Sequence, residues 1–285
     1  MTYTVGLLHP GSMGSAFGSQ LRSCGHTVLW SPEGRSDATH RRAEHAGLEP
    51  ETLPELVFRS DVLLSLCPPA AAEEVAAQVA ELSMAGADTI YVEANAVAPP
   101  RAQRIADRLA PMPVIDAAVV GSPPVGGKTP TLYLSGPRKQ ADRIAEIFAG
   151  TDVRPHVLGD SIGQASALKL AYSSYQKVSR VLAAVAYGAA ESYGVEDELL
   201  VIAAKRTRSY LAETDYIPKT AARAWRWAPE LEDAAALLAD VGLPDSLMHA
   251  AAATLARWNG NKDERLDIVE ALETLRGERD QDDPS

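Results

Sequence analysis

Gly11 and Gly14 stand in the stretch Leu8-His-Pro-Gly-Ser-Met-Gly14, between an apolar run from Tyr3 to Leu8 and a helix-compatible segment. Glycines in a turn that opens a helix have a chemical use. They let backbone N–H groups close on an anion, and the helix dipole favours negative charge there. Gly11 suits the close approach of a phosphate, and Gly14 suits a helix lying tight on the preceding strand. A Gly25-His26 break and a second apolar run, Thr27 to Trp30, complete strand, turn, helix, strand, the first half of a dinucleotide-binding unit. The turn departs from the usual G-x-G-x-x-G, because His9 occupies the first glycine position and Pro10 follows. Two glycines also fit an ordinary βα turn, and the position directly after the first strand is what gives the pattern weight. The candidate pyrophosphate contacts are His9, Pro10, Gly11, Ser12, Met13 and Gly14.

The second strand runs into Ser31-Pro-Glu-Gly-Arg-Ser36. An acidic residue here holds the ribose 2′-hydroxyl of NAD, and Glu33, a little past the strand end, could serve. Ser31, Arg35 and Ser36 instead supply hydroxyls and a cation, which suit a 2′-phosphate through charge-assisted hydrogen bonds. The expected cofactor is therefore NADP, with NAD second. The alternative is a solvated loop leading into the basic stretch His40-Arg41-Arg42.

Further strands are expected at Asp61–Cys67, Thr89–Glu93, Val114–Ile115–Asp116 and, as the last, Thr131–Ser135, with a helix from Ala70 to Leu82. Strands alternating with helices predict an α/β fold, a doubly wound, mostly parallel sheet with ligands at the C-terminal strand ends. Cys67-Pro68-Pro69, Asn95 and Gly121-Ser122 all fall at such ends. From about Ser161 the strand signals stop and Ala/Leu-rich helical patterns run to Arg276. The expected division is a Rossmann domain over 1–160, an all-α domain over 161–276 and a disordered tail over 277–285. The first helix of the second part, Gly163 to Tyr193, places Leu168, Tyr172, Tyr175, Leu182 and Ala186 at helical spacing. Lys169, Ser173, Gln176 and Arg180 form a polar stripe along another face. Such a stripe is either solvation or the first turns of a long helix turned to a cleft.

The 285 residues carry a formal net charge of −11, which argues against nucleic acid or an anionic membrane as the main partner. No apolar run approaches the roughly 18 residues of a membrane span. The chain starts almost at once with a strand, so no signal peptide is expected. Cys24 and Cys67, far apart in sequence, point to a reducing, cytoplasmic setting and to neither a disulfide framework nor a metal site.

Together these residues resemble a family: the β-hydroxyacid dehydrogenases related to 6-phosphogluconate dehydrogenase, which include imine reductases. The matching pieces are Gly6-Leu-Leu-His-Pro-Gly11-Ser-Met-Gly14, Cys24-Gly-His-Thr-Val, Asp61-Val-Leu-Leu-Ser-Leu-Cys-Pro68, Asp116-Ala-Ala-Val-Val-Gly121 and Gly163-Gln-Ala-Ser-Ala-Leu-Lys169, in the family's order. The segment Arg223-Ala-Trp225-Arg-Trp227-Ala-Pro-Glu230 is similar to a branch whose second domain diverges. The resemblance implies a homodimer with interlocked helical domains and hydride transfer between a nicotinamide and a small-molecule substrate. It implies that Lys169 is the general acid/base, its ammonium stabilising and protonating the oxygen of a reduced carbonyl. Desolvation in the cleft beside a cationic ring would draw its pKa toward the working range.

Cys67, Pro68 and Asn95 would line the nicotinamide, and Gly121 and Ser122 would orient the substrate. Several positions depart from the pattern. Val120 replaces the serine that grips a substrate carboxylate, and Tyr172-Ser173 replaces an asparagine one turn after the lysine. Pro229-Glu230 falls on a Lys-Asp pair. Ser173, Gln176, Trp227 and Glu230 are the candidate substrate-side residues, with core packing the other reading for Trp227 as for Trp225. The run Lys205-Arg-Thr-Arg208 reads as a solvated helix face. The expected activity is an NADP-dependent oxidoreductase of the EC 1.1.1 type acting on a small hydroxy or oxo metabolite. The alternatives are an imine reductase and a catalytically inactive NADP-binding protein.

Overall fold

The computed structural model describes residues 1–82, 88–192, 194–205, 213–240 and 245–276. In chain order the first part forms β1 (Thr4–Leu7), α1 (Ser12–Ser23), β2 (Thr27–Trp30), α2 (Asp37–His45), the short β3 (Glu49–Pro50) and α3 (Leu53–Arg59). There follow β4 (Val62–Ser65), a 3₁₀ turn at Pro69–Ala71, α4 (Ala72–Leu82), β5 (Ile90–Glu93), α5 (Pro99–Leu109), β6 (Val114–Val120), β7 (Thr131–Ser135), α6 (Arg138–Ile147), β8 (Arg154–Gly159) and α7 (Gln164–Ser192). The strands make one sheet in the order β3-β2-β1-β4-β5-β6-β7-β8. All pairs are parallel except β6 with β7. This is the expected α/β, doubly wound sheet.

Central parallel strands are covered on both faces, so they read as unbroken apolar runs. Accordingly β4 and β5 are buried at every residue. One core lies on the face of Phe17, Leu21, Trp30 and Phe148, the other on the face of Leu56, Tyr91, Ile105 and Leu109. Where β1 pairs with β4, the chain reverses its direction across the sheet, and this switch point is where doubly wound sheets open a crevice.

One expectation needs correction. Thr131–Ser135 is not the last strand, because β8 follows it and pairs with β7. Polar Arg154 and His156 and the intervening Pro155 hide it from a search for apolar runs. As the edge strand, β8 alternates between exposed and half-buried residues and tolerates a proline.

Packing divides the chain into two compact units, 1–169 and 170–285. The start of α7 goes with the sheet because Asp116 and Ser135 hold its first backbone N–H groups. In the second unit the rest of α7 is followed by α8 (Glu196–Ala204), α9 (Tyr216–Ala221), α10 (Ala224–Asp240), α11 (Ser246–Ala256) and α12 (Ile268–Arg276). Its own core gathers Val178, Ile217, Trp227, Leu231, Met248, Leu255, Trp258 and Leu272. Trp258 is fully buried and donates its indole N–H to the Ala271 carbonyl at 2.7 Å. Among the described residues no helix is long and apolar enough to cross a membrane. The tail 277–285, Tyr193 and residues 206–208 of the basic run lie outside the described residues.

Candidate functional site

The bend between β1 and α1 is built by close packing. A Cβ on Gly14 would lie 2.4 Å from the His9 carbonyl oxygen, a backbone contact that cannot yield, so only glycine lets α1 start there. Around Gly11 a Cβ would meet only the His9 imidazole at 3.7 Å, which leaves room in front of the bend. Gly11 caps α1 without a side-chain hydrogen bond, and the first turn carries no acidic residue. The Gly11 N–H donates to the His9 carbonyl at 2.9 Å, so the amides of Ser12, Met13 and Gly14 are the ones this helix start leaves to an anion.

Two guanidiniums close on this bend from the β2 side. Arg35 donates to the Leu8 carbonyl at 3.0 Å, and Arg42 reaches the Pro10 carbonyl at 3.4 Å while also donating to Thr39 Oγ1 at 2.9 Å. Burial first, then these two cations, hold the His9 imidazole below its ordinary pKa. Among the described residues, His9 Nδ1 and Arg35 Nε are buried without a hydrogen-bond partner. An uncapped helix start, two cations and two orphaned nitrogens fit the phosphates of a dinucleotide. Ser12 is exposed, and Met13 packs on the core. Ser31 is buried, Glu33 exposed, and Ser36 caps α2 by accepting from the Thr39 N–H at 3.4 Å. Sequence reasoning left Arg42 in a solvated basic stretch; its role depends on α2 lying beside the bend.

The ends of β4 and β5 carry a buried polar cluster. Asn95 donates through Nδ2 to Ser65 Oγ at 2.9 Å and to Glu93 Oε1 at 2.6 Å, and its backbone N–H also reaches Glu93 Oε1 at 3.1 Å. Cys67 Sγ lies 3.8 Å from Ser65 Oγ. Burial pushes the Cys67 thiol up to about 11, so it stays protonated and a poor nucleophile at neutral pH. Pro68 is exposed at the start of the 3₁₀ turn. Glu93 was missed in the sequence, although an ionisable residue inside Ile90-Tyr-Val-Glu-Ala is a readable signal.

Asp116, fully buried on β6, organises the next edge. It accepts from Ser166 Oγ at 2.6 Å, Ser166 N at 3.0 Å, Gly163 N at 2.9 Å and Ser135 Oγ at 3.1 Å. Burial pushes its carboxyl above the ordinary range, and the bonds from Ser166, Ser135 and Gly163 pull the other way. The carboxylate sits at the positive end of α7 and fixes its rotation. One turn further, Lys169 Nζ donates to the Val119 carbonyl at 2.9 Å. Gly121, at φ +127°, turns the chain out of β6 where an added Cβ would lie 3.0 Å from Pro130 Cα, and Ser122 beside it is exposed. The bend, the Asn95 cluster and Lys169 therefore share the C-terminal edge of parallel strands β1, β4, β5 and β6.

The remaining candidates belong to the helical unit and are described there. Ser173 is buried, and Gln176 donates to the Tyr172 hydroxyl at 2.7 Å. Trp227 lies in the helical core with Lys177 Nζ 5.7 Å from its ring centre, and Glu230 is ion-paired with Lys177. Trp225 stacks under Lys262 Nζ at 4.1 Å.

Residues 4–154, more than half of the chain, match the family model described as the NAD binding domain of 6-phosphogluconate dehydrogenase. The chain belongs to this family. Residues 190–258 match a second model, a domain of unknown function, DUF1932. An uncharacterized 28.5 kDa protein of Methanothermus fervidus is 29% identical over 171 residues, covering 60% of this chain and 64% of that relative's length. Two solved structures show the fold over nearly the whole chain. Mycobacterium tuberculosis 3-hydroxyisobutyrate dehydrogenase, solved with L-serine, has a TM-score of 0.76 at 20% identity, over 97% of this chain and 100% of that one. A reductive aminase of Aspergillus terreus, solved with NADPH and ethyl levulinate, has a TM-score of 0.58 at 21% identity, over 95% and 99%.

Proposed function

We propose that this protein is an NADP-dependent oxidoreductase that moves hydride between a nicotinamide and a small hydroxy or oxo metabolite, an acid in the first instance. The observation that carries the reading is Lys169 Nζ, held 2.9 Å from the Val119 carbonyl on the same strand edge as the His9–Gly14 bend. In the proposed complex, the amides at Ser12, Met13 and Gly14 hold the pyrophosphate, with Gly11 leaving it room and His9 and Pro10 beside it. Arg35 and Arg42, with Ser31 and Ser36 beside them, take the 2′-phosphate. Cys67, Pro68 and Asn95 border the nicotinamide, which when bound supplies or accepts the hydride.

The chain's own chemistry is proton transfer and orientation. Lys169 Nζ gives a proton to the substrate oxygen as negative charge grows there, and takes it back in the oxidative direction. The Val119 carbonyl aims the amine. Gly121 and Ser122 orient the substrate. Trp227 and Glu230 are engaged in the helical core and with Lys177, so they enter the proposal as supports of that unit.

A second reading is imine reduction. It is favoured by Val120, whose isopropyl group offers no hydroxyl to a substrate carboxylate, and by the fold shared with the reductive aminase. We further infer a cytoplasmic homodimer joined through the helical units, whose Tyr172, Tyr175, Val201 and Ile202 are exposed on the single chain. Neither nucleic acid nor a membrane is an expected partner, given the net charge of −11. The test is fluorescence titration with NADPH and NADH, then 3-oxo acids and cyclic imines screened by NADPH absorbance. Oxidation of NADPH with an oxo acid supports the first reading, oxidation with an imine alone the second. Binding without turnover on either would make the protein a nucleotide-binding one.

A further inference from the structure

Glu93 and Asn95 each leave one buried oxygen without a hydrogen-bond partner among the described residues. Both residues are buried, Glu93 fully and Asn95 to 4% exposure. The two N–H bonds of the Asn95 carboxamide are spent on Ser65 Oγ and Glu93 Oε1, which fixes the amide's orientation and leaves Oδ1 over. Glu93 Oε1 accepts twice from Asn95, which leaves Oε2 over. Among the described residues neither Asn95 Oδ1 nor Glu93 Oε2 has a partner. Buried polar atoms are costly to leave unpaired, and a fold that keeps two of them in contact residues keeps them for a ligand or a water.

An oxygen that accepts two hydrogen bonds behaves as the carbonyl of a carboxylic acid, so the hydroxyl of that acid is at Oε2. The pair then offers one donor, Glu93 Oε2–H, and one acceptor, Asn95 Oδ1. A primary carboxamide carries the complementary acceptor and donor. We propose that Glu93 and Asn95 together receive the carboxamide of a bound nicotinamide, Glu93 donating through Oε2 to its carbonyl and Asn95 accepting its N–H at Oδ1. This rests on the nucleotide reading above and adds to it a positioning residue, Glu93.

The electrostatics agree. Burial pushes the Glu93 carboxyl up to about 8, against the bonds from Asn95, with Asp116 raising it further and Arg101 lowering it. The groups facing it are Cys67 after β4, Tyr91 on β5, Asp116 on β6 and Arg101 on α5. Cys67 and Tyr91 are both held in their neutral forms, since burial raises each.

The experiment compares three probes by intrinsic fluorescence from about pH 6 to 10: NADP⁺, its 3-acetylpyridine analogue, and 2′,5′-ADP, which carries an adenosine and a 2′-phosphate without the ring. Wild type should prefer NADP⁺ over the acetylpyridine analogue by about tenfold, the worth of one net hydrogen bond. Its NADP⁺ dissociation constant should rise by about tenfold in all as pH climbs past about 8, the worth of the same bond, while that of 2′,5′-ADP does not. Glu93→Gln, which keeps a donor, should abolish this pH dependence with affinity retained. Asn95→Ala should erase the preference for the carboxamide. A flat wild-type profile, equal affinity for the two dinucleotides, or an unchanged profile in Glu93→Gln would each overturn the proposal while binding of 2′,5′-ADP left the nucleotide site standing. If 2′,5′-ADP does not bind, the nucleotide reading fails and the carboxamide receptor falls with it.

Discussion

Lys169 Nζ and the carbonyl oxygen of Val119, fifty residues apart in the chain, lie 2.9 Å from each other. The contact exists because Asp116, three residues before Val119, holds Ser166, three residues before Lys169, at 2.6 Å. Strand β6 and helix α7 thus run in register through one buried carboxylate, and the amine is the far end of that register.

Removing the amine tests the mechanism directly. Lys169→Ala should lower turnover by about 10²- to 10⁴-fold, the usual worth of a positioned acid or base. NADPH affinity by fluorescence should be retained. An unchanged kcat would take Lys169 out of the chemistry.

Losing the carboxylate on β6 should act through both structure and rate. Asp116→Asn leaves α7's first N–H groups with a weaker partner, at a cost of about 1–3 kcal/mol. A lower urea midpoint together with a fall in kcat is expected. Full activity in a protein of reduced stability would show that the register does not aim Lys169.

On the proposed reading, the two arginines of the bend set cofactor choice. Arg35→Ala and Arg42→Ala should each weaken NADPH binding by roughly 10- to 100-fold, the worth of a hydrogen bond to a charged group. NADH binding should change little. An equal loss for both nucleotides would assign the arginines to shaping the bend through the Leu8 and Pro10 carbonyls.

Gly14 and Gly11 should respond differently to the same added methyl. Gly14→Ala puts a Cβ 2.4 Å from the His9 carbonyl, so both melting temperature and nucleotide affinity should fall. Gly11→Ala meets only the His9 imidazole at 3.7 Å, so the fold should keep its melting temperature while affinity drops. Equal melting losses in the two variants would contradict this packing.

Glu93 should give the protein a pH-dependent stability. Its folded value of about 8 lies above its ordinary 4.5, so the native state binds the extra proton between them. Stability from this group is complete at acid pH and is lost as pH climbs through about 8. Glu93→Gln, neutral throughout, should be the more stable protein above that point and comparable near pH 5 in urea titrations. A wild type that matches the variant at alkaline pH would place the carboxyl in water.

The amino-acid sequence alone determined the nucleotide unit and the sheet around it. Covered parallel strands must be apolar on both faces, so Val5, Leu7, Val62–Leu64 and Ile90–Val92 announce themselves locally, as do the glycines of the first turn and the Gly25 break. It also placed Lys169 early on a long helix. What only tertiary structure decided is which polar groups meet. Arg42 looks solvated until α2 lies on the bend, and β8 looks like a loop until β7 offers it an edge. Asp116 and Glu93 find their hydrogen-bond partners only when β6 and β5 bring them to α7 and Asn95. Hydrophobic patterning is a property of neighbours in sequence, whereas the partner of a buried charge is chosen by packing across tens of residues.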